Sequence, residues 1–368
     1  MHVCHFCDTT FESDYFRNIA VGLTRHGVRI SLVELGRGTP PTWLNEAPGT
    51  SYFCLNAGSK LQYPMVVVRL AKYLKDESVD ILHTHLFFAG LIGVLTKRLR
   101  QKTIVALMRH HTSVVRMLGS RIHIAADKWM AENADHVTTV SEAARNYIQK
   151  VDGIRRAEIE VVYTGFDFQK LAPNVDDRRR VRREFSFEAD NLVIGYAANF
   201  INGKGHLQLI EAYKKIAAAM PNVKLFLVGS GMLSEVKKAA ENFAPGQIVF
   251  AGWRNDVPEC LNAMDIFIQP SLSEAFSQVL VEAMGTGLPV IATRVGGADE
   301  VIINGENGIL IEPNDTDAIY QATLHLYNDV RLRNEIAQKG MLSVKERFTV
   351  PIMIDRLMAL YKSWLNQN

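Results

Sequence analysis

Two carboxylates, Glu274 and Glu282, stand eight positions apart in the run from Pro270 to Glu300. A hydrophobic stretch, Asp265–Gln269, precedes the first, and an apolar helical pattern surrounds the second. A loop that turns from strand to helix offers backbone N–H groups without intrahelical partners and the positive end of a helix dipole, a setting that suits phosphate. A carboxylate two turns further on can accept hydrogen bonds from vicinal sugar hydroxyls. Upstream, Lys204 lies in the run Asn199-Phe200-Ile201-Asn202-Gly203-Lys204-Gly205-His206, at the start of a predicted helix. A cation there opposes the helix dipole, so a bound anion would account for it. Histidines gather in the first half of the chain, His83 and His85 at the end of one predicted strand and His110 and His111 just past another.

The elements that must position these groups alternate. Strands are expected at His2–Phe6, Val28–Glu34, Ser51–Leu55, Asp80–His83, Thr103–Met108, His136–Val140 and Ile159–Tyr163, with helical patterns between them. A second series follows at Leu192–Ala198, Val223–Gly229, Ile248–Ala251, Asp265–Gln269, Pro289–Thr293 and Gly308–Ile311. This alternation argues for an α/β protein with two parallel sheets, each covered on both faces. Such sheets bind ligands at the carboxyl ends of their strands. The expected division is an amino-terminal Rossmann-like domain over 1–170, a hinge and surface helix over 171–190, and a second Rossmann-like domain over 191–350. The cluster from Arg178 to Arg183 is flanked by Asp176, Asp177 and Glu184 and reads as a solvated helix face, with phosphate or anionic lipid as the sharper alternative.

Length and composition agree with this plan. At 368 residues the chain suits two domains, and a net charge of +2 gives no reason to expect nucleic acid. A strand-like run starting at His2 leaves no room for a signal peptide, and no apolar stretch approaches the ~20 residues that span a bilayer. A cytoplasmic protein is expected, with peripheral contact at the inner face of the membrane left open. Cys4 and Cys7 have Cys-x-x-Cys spacing, but no second pair exists to complete a zinc site, so they read as core residues. Asp315-Thr316-Asp317 has the spacing of a metal-binding Asp-x-Asp, yet it precedes a helical pattern and reads as a helix start.

The segment from Pro270 to Glu300 resembles the paired-glutamate signature of retaining glycosyltransferases of the two-Rossmann-domain (GT-B) fold, family 4 / group 1. The resemblance is dense from Gly195 to Phe348 and sparse before Asp80. It implies two domains facing across a cleft, with a carboxyl-terminal helix at 351–368 returning to the first domain. It implies that Glu274 contacts the donor sugar, that Gly231, Ala275, Phe276, Ser277, Val279 and Leu280 approach sugar and phosphates, and that Glu282 accepts from the ribose. Lys204 matches the family's diphosphate-binding lysine. The family's arginine five residues earlier is Asn199 here, which supplies no charge, and Arg254 is a candidate to compensate; Trp253 or Arg254 is a candidate to stack on a base. His110 fits the family's histidine near the reacting carbon, with His111 as the alternative. Thr10, His83, His85 and Arg109 are weaker candidates for the acceptor. Where many relatives carry a glycine-rich loop after the first strand, this chain has Cys7-Asp8-Thr9-Thr10-Phe11-Glu12-Ser13-Asp14, with no glycine.

The expected activity is transfer of a hexose-type sugar from a nucleotide-diphosphate sugar to a glycan, lipid-linked or small-molecule hydroxyl acceptor, with retention. The nucleotide sugar is a co-substrate, and neither cofactor nor metal is expected. A nucleotide-sugar epimerase of the same fold and a non-catalytic nucleotide-sugar-binding protein are the alternatives. The base, the sugar, the acceptor and the oligomeric state stay open.

Overall fold

A computed structural model describes residues 1–110, 121–154, 158–231 and 233–367. It divides into two compact units, Met1–Phe166 with Phe348–Asn368, and Asp167–Arg347.

The first unit is a seven-stranded, all-parallel sheet in the order β3-β2-β1-β4-β5-β6-β7. Its strands are β1 (His2–Cys7), β2 (Arg29–Glu34), β3 (Thr50–Cys54), β4 (Ile81–His85), β5 (Ile104–Arg109), β6 (His136–Thr139) and β7 (Glu160–Val161). The central strands β1 and β4 are buried along their whole length, and β5 is buried up to Arg109, as in a sheet covered on both faces. Alternate residues face opposite sides. Cys4, Phe6 and Leu82 join an apolar core with Val66 and Leu70 of the helix Tyr63–Asp76, while His5, His83 and His85 fall on the other face. Cys4 and Cys7 are an odd number of positions apart and therefore point to opposite faces; both are buried free thiols.

The helix Val350–Gln367 closes the histidine face. Tyr361 Oη lies 2.7 Å from His83 Nδ1, the Trp364 indole stacks on His136 at 4.3 Å, and its Nε1 donates to Glu160 at 3.2 Å. Gly22, in the helix Asp14–Arg25, is packed so tightly against Ile354 that a Cβ would stand 2.4 Å from it.

The second unit is a six-stranded parallel sheet in the order β10-β9-β8-β11-β12-β13. The strands are β8 (Leu192–Ala197), β9 (Val223–Val228), β10 (Ile248–Gly252), β11 (Ile266–Gln269), β12 (Val290–Thr293) and β13 (Ile309–Ile311). The segment read as hinge and surface helix belongs to this unit, and its helix Val175–Glu184 exposes one face, as expected, while Val181 and Arg182 are buried on the other. Arg178 bonds Asp265 at 2.6 Å and the Met264 carbonyl at 2.8 Å. Arg182 is buried and donates to the Glu188 and Asn191 carbonyls at 2.7 Å each. Two of the cluster's five arginines are therefore consumed in anchoring the helix. Asp315 caps the helix Thr316–Asn328 by accepting from Ala318 N–H at 2.8 Å, as its position before the helix suggested. Among the described residues no helix is long and apolar enough to cross a membrane.

Candidate functional site

In each sheet the strand order reverses direction at one point, between β1 and β4 in the first unit and between β8 and β11 in the second. Loops leaving such a pair diverge to opposite faces and open a crevice at the strand ends. Lys204 leaves β8 and Glu274 leaves β11, so the topology alone places them on the two lips of one crevice. Lys204 Nζ lies 2.7 Å from Glu274 Oε1. The carboxylate is held from a second side by Ser271 Oγ at 2.8 Å, itself 3.0 Å from the Tyr196 hydroxyl.

Glycines make this approach geometrically available. Gly205 has φ +72°, and a Cβ on it would stand 1.9 Å from the Pro270 carbonyl oxygen, so the loop carrying Lys204 rests directly on the loop carrying Glu274. Leu272 N–H donates to Gly203 O at 2.7 Å across the same contact. Gly296 has φ +55°, and a Cβ there would meet Glu274 O at 2.2 Å. Gly297 N–H bonds Ala275 O at 3.0 Å, which pins the loop from the other side.

The helix Gln278–Gly285 begins immediately after this loop. Ser277 does not cap it; its hydroxyl donates to Gln269 instead. The N–H groups of the first turn, Val279 and Leu280 among them, have no intrahelical acceptor. Leu280 and Phe276 bury their side chains. Glu282 is half-buried in the same helix.

Asn199 has a job that its sequence position does not reveal. Its Oδ1 accepts from Ser230 N–H at 3.2 Å and Ser230 Oγ at 2.7 Å, tying the loop after β8 to the glycine-bearing loop after β9. Gly231 in that loop has φ +82°. Arg254 does not supply the missing charge as a free cation. Its guanidinium bonds Asp256 at 2.7 Å and Glu184 at 2.5 Å, and these hydrogen bonds raise its pKa further. Trp253 beside it is 71% exposed and can stack on a planar ligand.

In the first unit the histidines form a chain. His5 Nδ1 lies 2.9 Å from His85 Nε2, and His85 Nδ1 lies 3.0 Å from His110 Nε2. His83 is engaged separately by Tyr361 and by Thr138, at 3.1 Å. Burial pulls the His5 pKa down to about 3 and those of His83 and His85 well below the usual range. His83 and His85 are 1% and 0% exposed, which corrects their expected role as contacts to an acceptor. Arg109 is corrected similarly: it forms ion pairs with Asp127 at 2.6 Å and Asp152 at 3.2 Å, so two carboxylates already face its single charge. Thr10 is exposed, and its hydroxyl accepts from Glu12 N–H at 3.2 Å. His111 lies outside the described residues.

Sequence reasoning missed His5 and took Asp8 only as part of the acidic run that stands where many relatives have a glycine-rich loop. His5 pairs in register with His83 across β1 and β4, a relation visible only once strand order is known. Asp8 accepts from Phe88 N–H at 3.0 Å at the start of the helix Phe87–Lys97. Its carboxylate occupies the helix N-terminus, the kind of place where an anionic ligand group binds.

Comparison with known proteins bears on both units. Residues 13–170 match the family described as Glycosyltransferase Family 4, and residues 191–329 match Glycosyl transferases group 1. The N-acetyl-alpha-D-glucosaminyl L-malate synthase of Bacillus anthracis is 27% identical over 87% of this chain and 86% of its own length. The UDP-Gal:alpha-D-GlcNAc-diphosphoundecaprenol alpha-1,3-galactosyltransferase of Escherichia coli is 26% identical over 80% of this chain and 78% of its own. Among solved structures, Anabaena HepE in complex with UDP and glucose superposes with a TM-score of 0.85 at 21% identity, covering 99% of this chain and 100% of that one.

Proposed function

This chain is a glycosyltransferase of the GT-B fold, a family-4 half joined to a group-1 half, and from that premise we propose that it moves a hexose-type sugar from a UDP-linked donor to a hydroxyl of a glycan or lipid-linked acceptor, with retention of configuration. The observation that carries this reading is the Lys204–Glu274 pair on the two lips of the second unit's crevice, directly before an uncapped helix start.

In this reading Lys204 and the N–H groups of Val279 and Leu280 hold the diphosphate, and Glu274 takes sugar hydroxyls. Glu282 accepts from the ribose hydroxyls, and Trp253 stacks on the base. Positive charge from Lys204 and the helix dipole stabilises the leaving diphosphate, so no metal is required. The departing phosphate oxygen takes the proton of the incoming hydroxyl on the same face. His110 contacts the sugar near the reacting carbon.

A uridine donor is supported by the complex of Anabaena HepE with UDP and glucose and by the UDP-Gal named for the Escherichia coli relative. The acceptors named for the two curated relatives differ, L-malate in one and a diphosphoundecaprenol-linked sugar in the other. A neutral hydroxyl group at the acceptor side fits Asp8, whose carboxylate already holds the helix start that an acceptor phosphate would otherwise use.

The test is incubation with UDP-[14C]glucose and UDP-[14C]galactose and a panel of glycan and lipid-linked acceptors. Label on an acceptor, in a product of retained anomeric configuration, is expected. An altered nucleotide sugar with no transfer would mean epimerisation, and tight UDP-sugar binding without turnover would mean a binding protein. Turnover should survive EDTA; its loss and recovery with added metal would overturn the metal-free reading.

A further inference from the structure

Ser277 stands in the N-cap position of the helix Gln278–Gly285, and serine is among the residues that cap helices best. A capping hydroxyl accepts from the N–H of the second or third helical residue. Here those residues are Val279 and Leu280, whose N–H groups the function proposed above gives to the diphosphate. The helix thus begins with a side chain able to occupy the place its ligand needs.

Ser277 does not use that ability. Its backbone, at φ −81° and ψ 101°, is in the extended region that a capping residue adopts, yet its hydroxyl makes no bond to the helix. The hydroxyl turns instead to the end of β11 and donates to Gln269 Oε1. Both residues are buried, Gln269 completely. Either orientation of the amide holds the hydroxyl there: Oε1 accepts its proton, or a flipped amide donates Nε2–H to its oxygen.

Gln269 is held at a cost. The other residues of β11, Ile266, Phe267 and Ile268, are apolar and buried. Gln269 Nε2 is buried and has no hydrogen-bond partner among the described residues. Its desolvation is therefore uncompensated, and replacing both Gln269 and Ser277 by apolar groups of the same shape would remove that burden. A buried polar group left short of partners calls for a specific reason. Among the described residues, Ser277 is the only hydrogen-bond partner of the Gln269 side chain.

We propose that Gln269 is a positioning residue for the donor: by holding the Ser277 hydroxyl it keeps the N-cap side chain off the Val279 and Leu280 N–H groups, so that the helix start stays open to the diphosphate. A serine released from Gln269 still needs a partner, and the N–H groups of its own helix are within reach of an N-cap side chain. Once capped, the helix start must lose that bond before it can receive a phosphate. This proposal rests on the reading that the helix start binds the diphosphate.

The experiment is calorimetry of UDP binding to the unsubstituted protein, to Gln269→Met, to Ser277→Ala and to the double variant. Methionine keeps the length of the glutamine side chain but offers the hydroxyl only a weak acceptor. Gln269→Met should weaken UDP binding about fivefold, the equivalent of the roughly 1 kcal/mol of an N-cap. Ser277→Ala should leave the affinity unchanged, and the double variant should recover it, because no hydroxyl remains to cap. A crystal structure of nucleotide-free Gln269→Met should show Ser277 Oγ within hydrogen-bond distance of the Val279 or Leu280 nitrogen.

A purely structural role for Gln269 would cost affinity with or without the hydroxyl, so an equal loss in the double variant would overturn the proposal. Unchanged UDP affinity in Gln269→Met would overturn it too. So would weakened binding in Ser277→Ala, which would make the hydroxyl itself a phosphate contact; this readout stands if Gln269→Met fails to fold. UDP binding no tighter than uridine binding in the unsubstituted protein would instead overturn the reading of the helix start as the diphosphate site, and the proposal with it. The other outcomes leave that reading intact.

Discussion

Lys204 and Glu274 neutralise each other when no ligand is present, and that has a measurable consequence for binding. A diphosphate must compete with the carboxylate for the same ammonium group and approaches a negative charge as it does so. Glu274→Gln should therefore bind UDP more tightly, by about fivefold at most given that a partly exposed pair is worth roughly 1 kcal/mol, while turnover falls because the sugar loses its acceptor. Calorimetry and initial rates check the two halves separately, and weaker UDP binding would show that Glu274 orders the site more than it repels. Asn199 gives a second residue-level prediction. Asn199→Asp keeps the acceptor that Ser230 needs, so the melting temperature should hold, but the new charge should weaken UDP binding about tenfold, the effect of roughly 1.4 kcal/mol. Undiminished affinity would place Asn199 away from the phosphates. Lys204 and Glu274 were legible in the sequence because each sits in a short local pattern. The partner of Asn199 was not, since Ser230 is separated from it by a complete helix and strand, and the commitments of Arg109 and Arg254 to nearby carboxylates needed coordinates.

Loops and helices carry the next level of specificity. The turn at Gly205 combines a positive φ with a contact that no side chain can enter. Gly205→Ala should destabilise the second unit by more than the ~1 kcal/mol of an incompatible backbone alone, and UDP affinity should fall with it because Lys204 rides on that turn. A variant with unchanged urea midpoint and affinity would show that the loop can move off Pro270. At this scale the sequence reading recovered every strand, because buried parallel strands are near-continuous apolar runs. The arginine-rich helix does carry the solvated face read from its charges, but the anchoring role of Arg178 and Arg182 was not legible, because a charge run looks the same whether it faces water or a row of carbonyl oxygens.

At the level of the whole molecule, buried neutral histidines set the response to acid. His5 has a folded pKa of about 3 against an ordinary value of 6.5, with His83 and His85 lowered in the same direction, and His206 in the second unit is lowered to about 4 by burial. Below pH 6.5 the unfolded chain takes up protons that the folded one refuses. Stability contributed by each group is complete above that pH and is lost as pH falls toward the folded value, by about 1.4 kcal/mol per pH unit per histidine. The urea midpoint should drop clearly between pH 7 and pH 5, and His5→Phe should flatten the slope; a flat profile in the unsubstituted protein would mean that the folded state protonates its histidines. The two-sheet architecture was readable from alternation alone. The membership of the last helix in the first unit, which agrees with the expectation, came from the family resemblance, because nothing local in a helix records which distant face it covers.

That helix has one more consequence, which concerns the order of events at the ribosome. The first unit is begun at Met1, yet its histidine face is completed only by Tyr361 and Trp364. The second unit is contiguous and contains all of its own strands. During vectorial synthesis the domain made first is thus the one that finishes last: it must wait, with one face of its sheet only partly covered, while some 180 intervening residues are translated and folded. A nascent chain stalled near Arg347 should present this face to chaperones, and release of the final helix should act as the latch that ends the exposure.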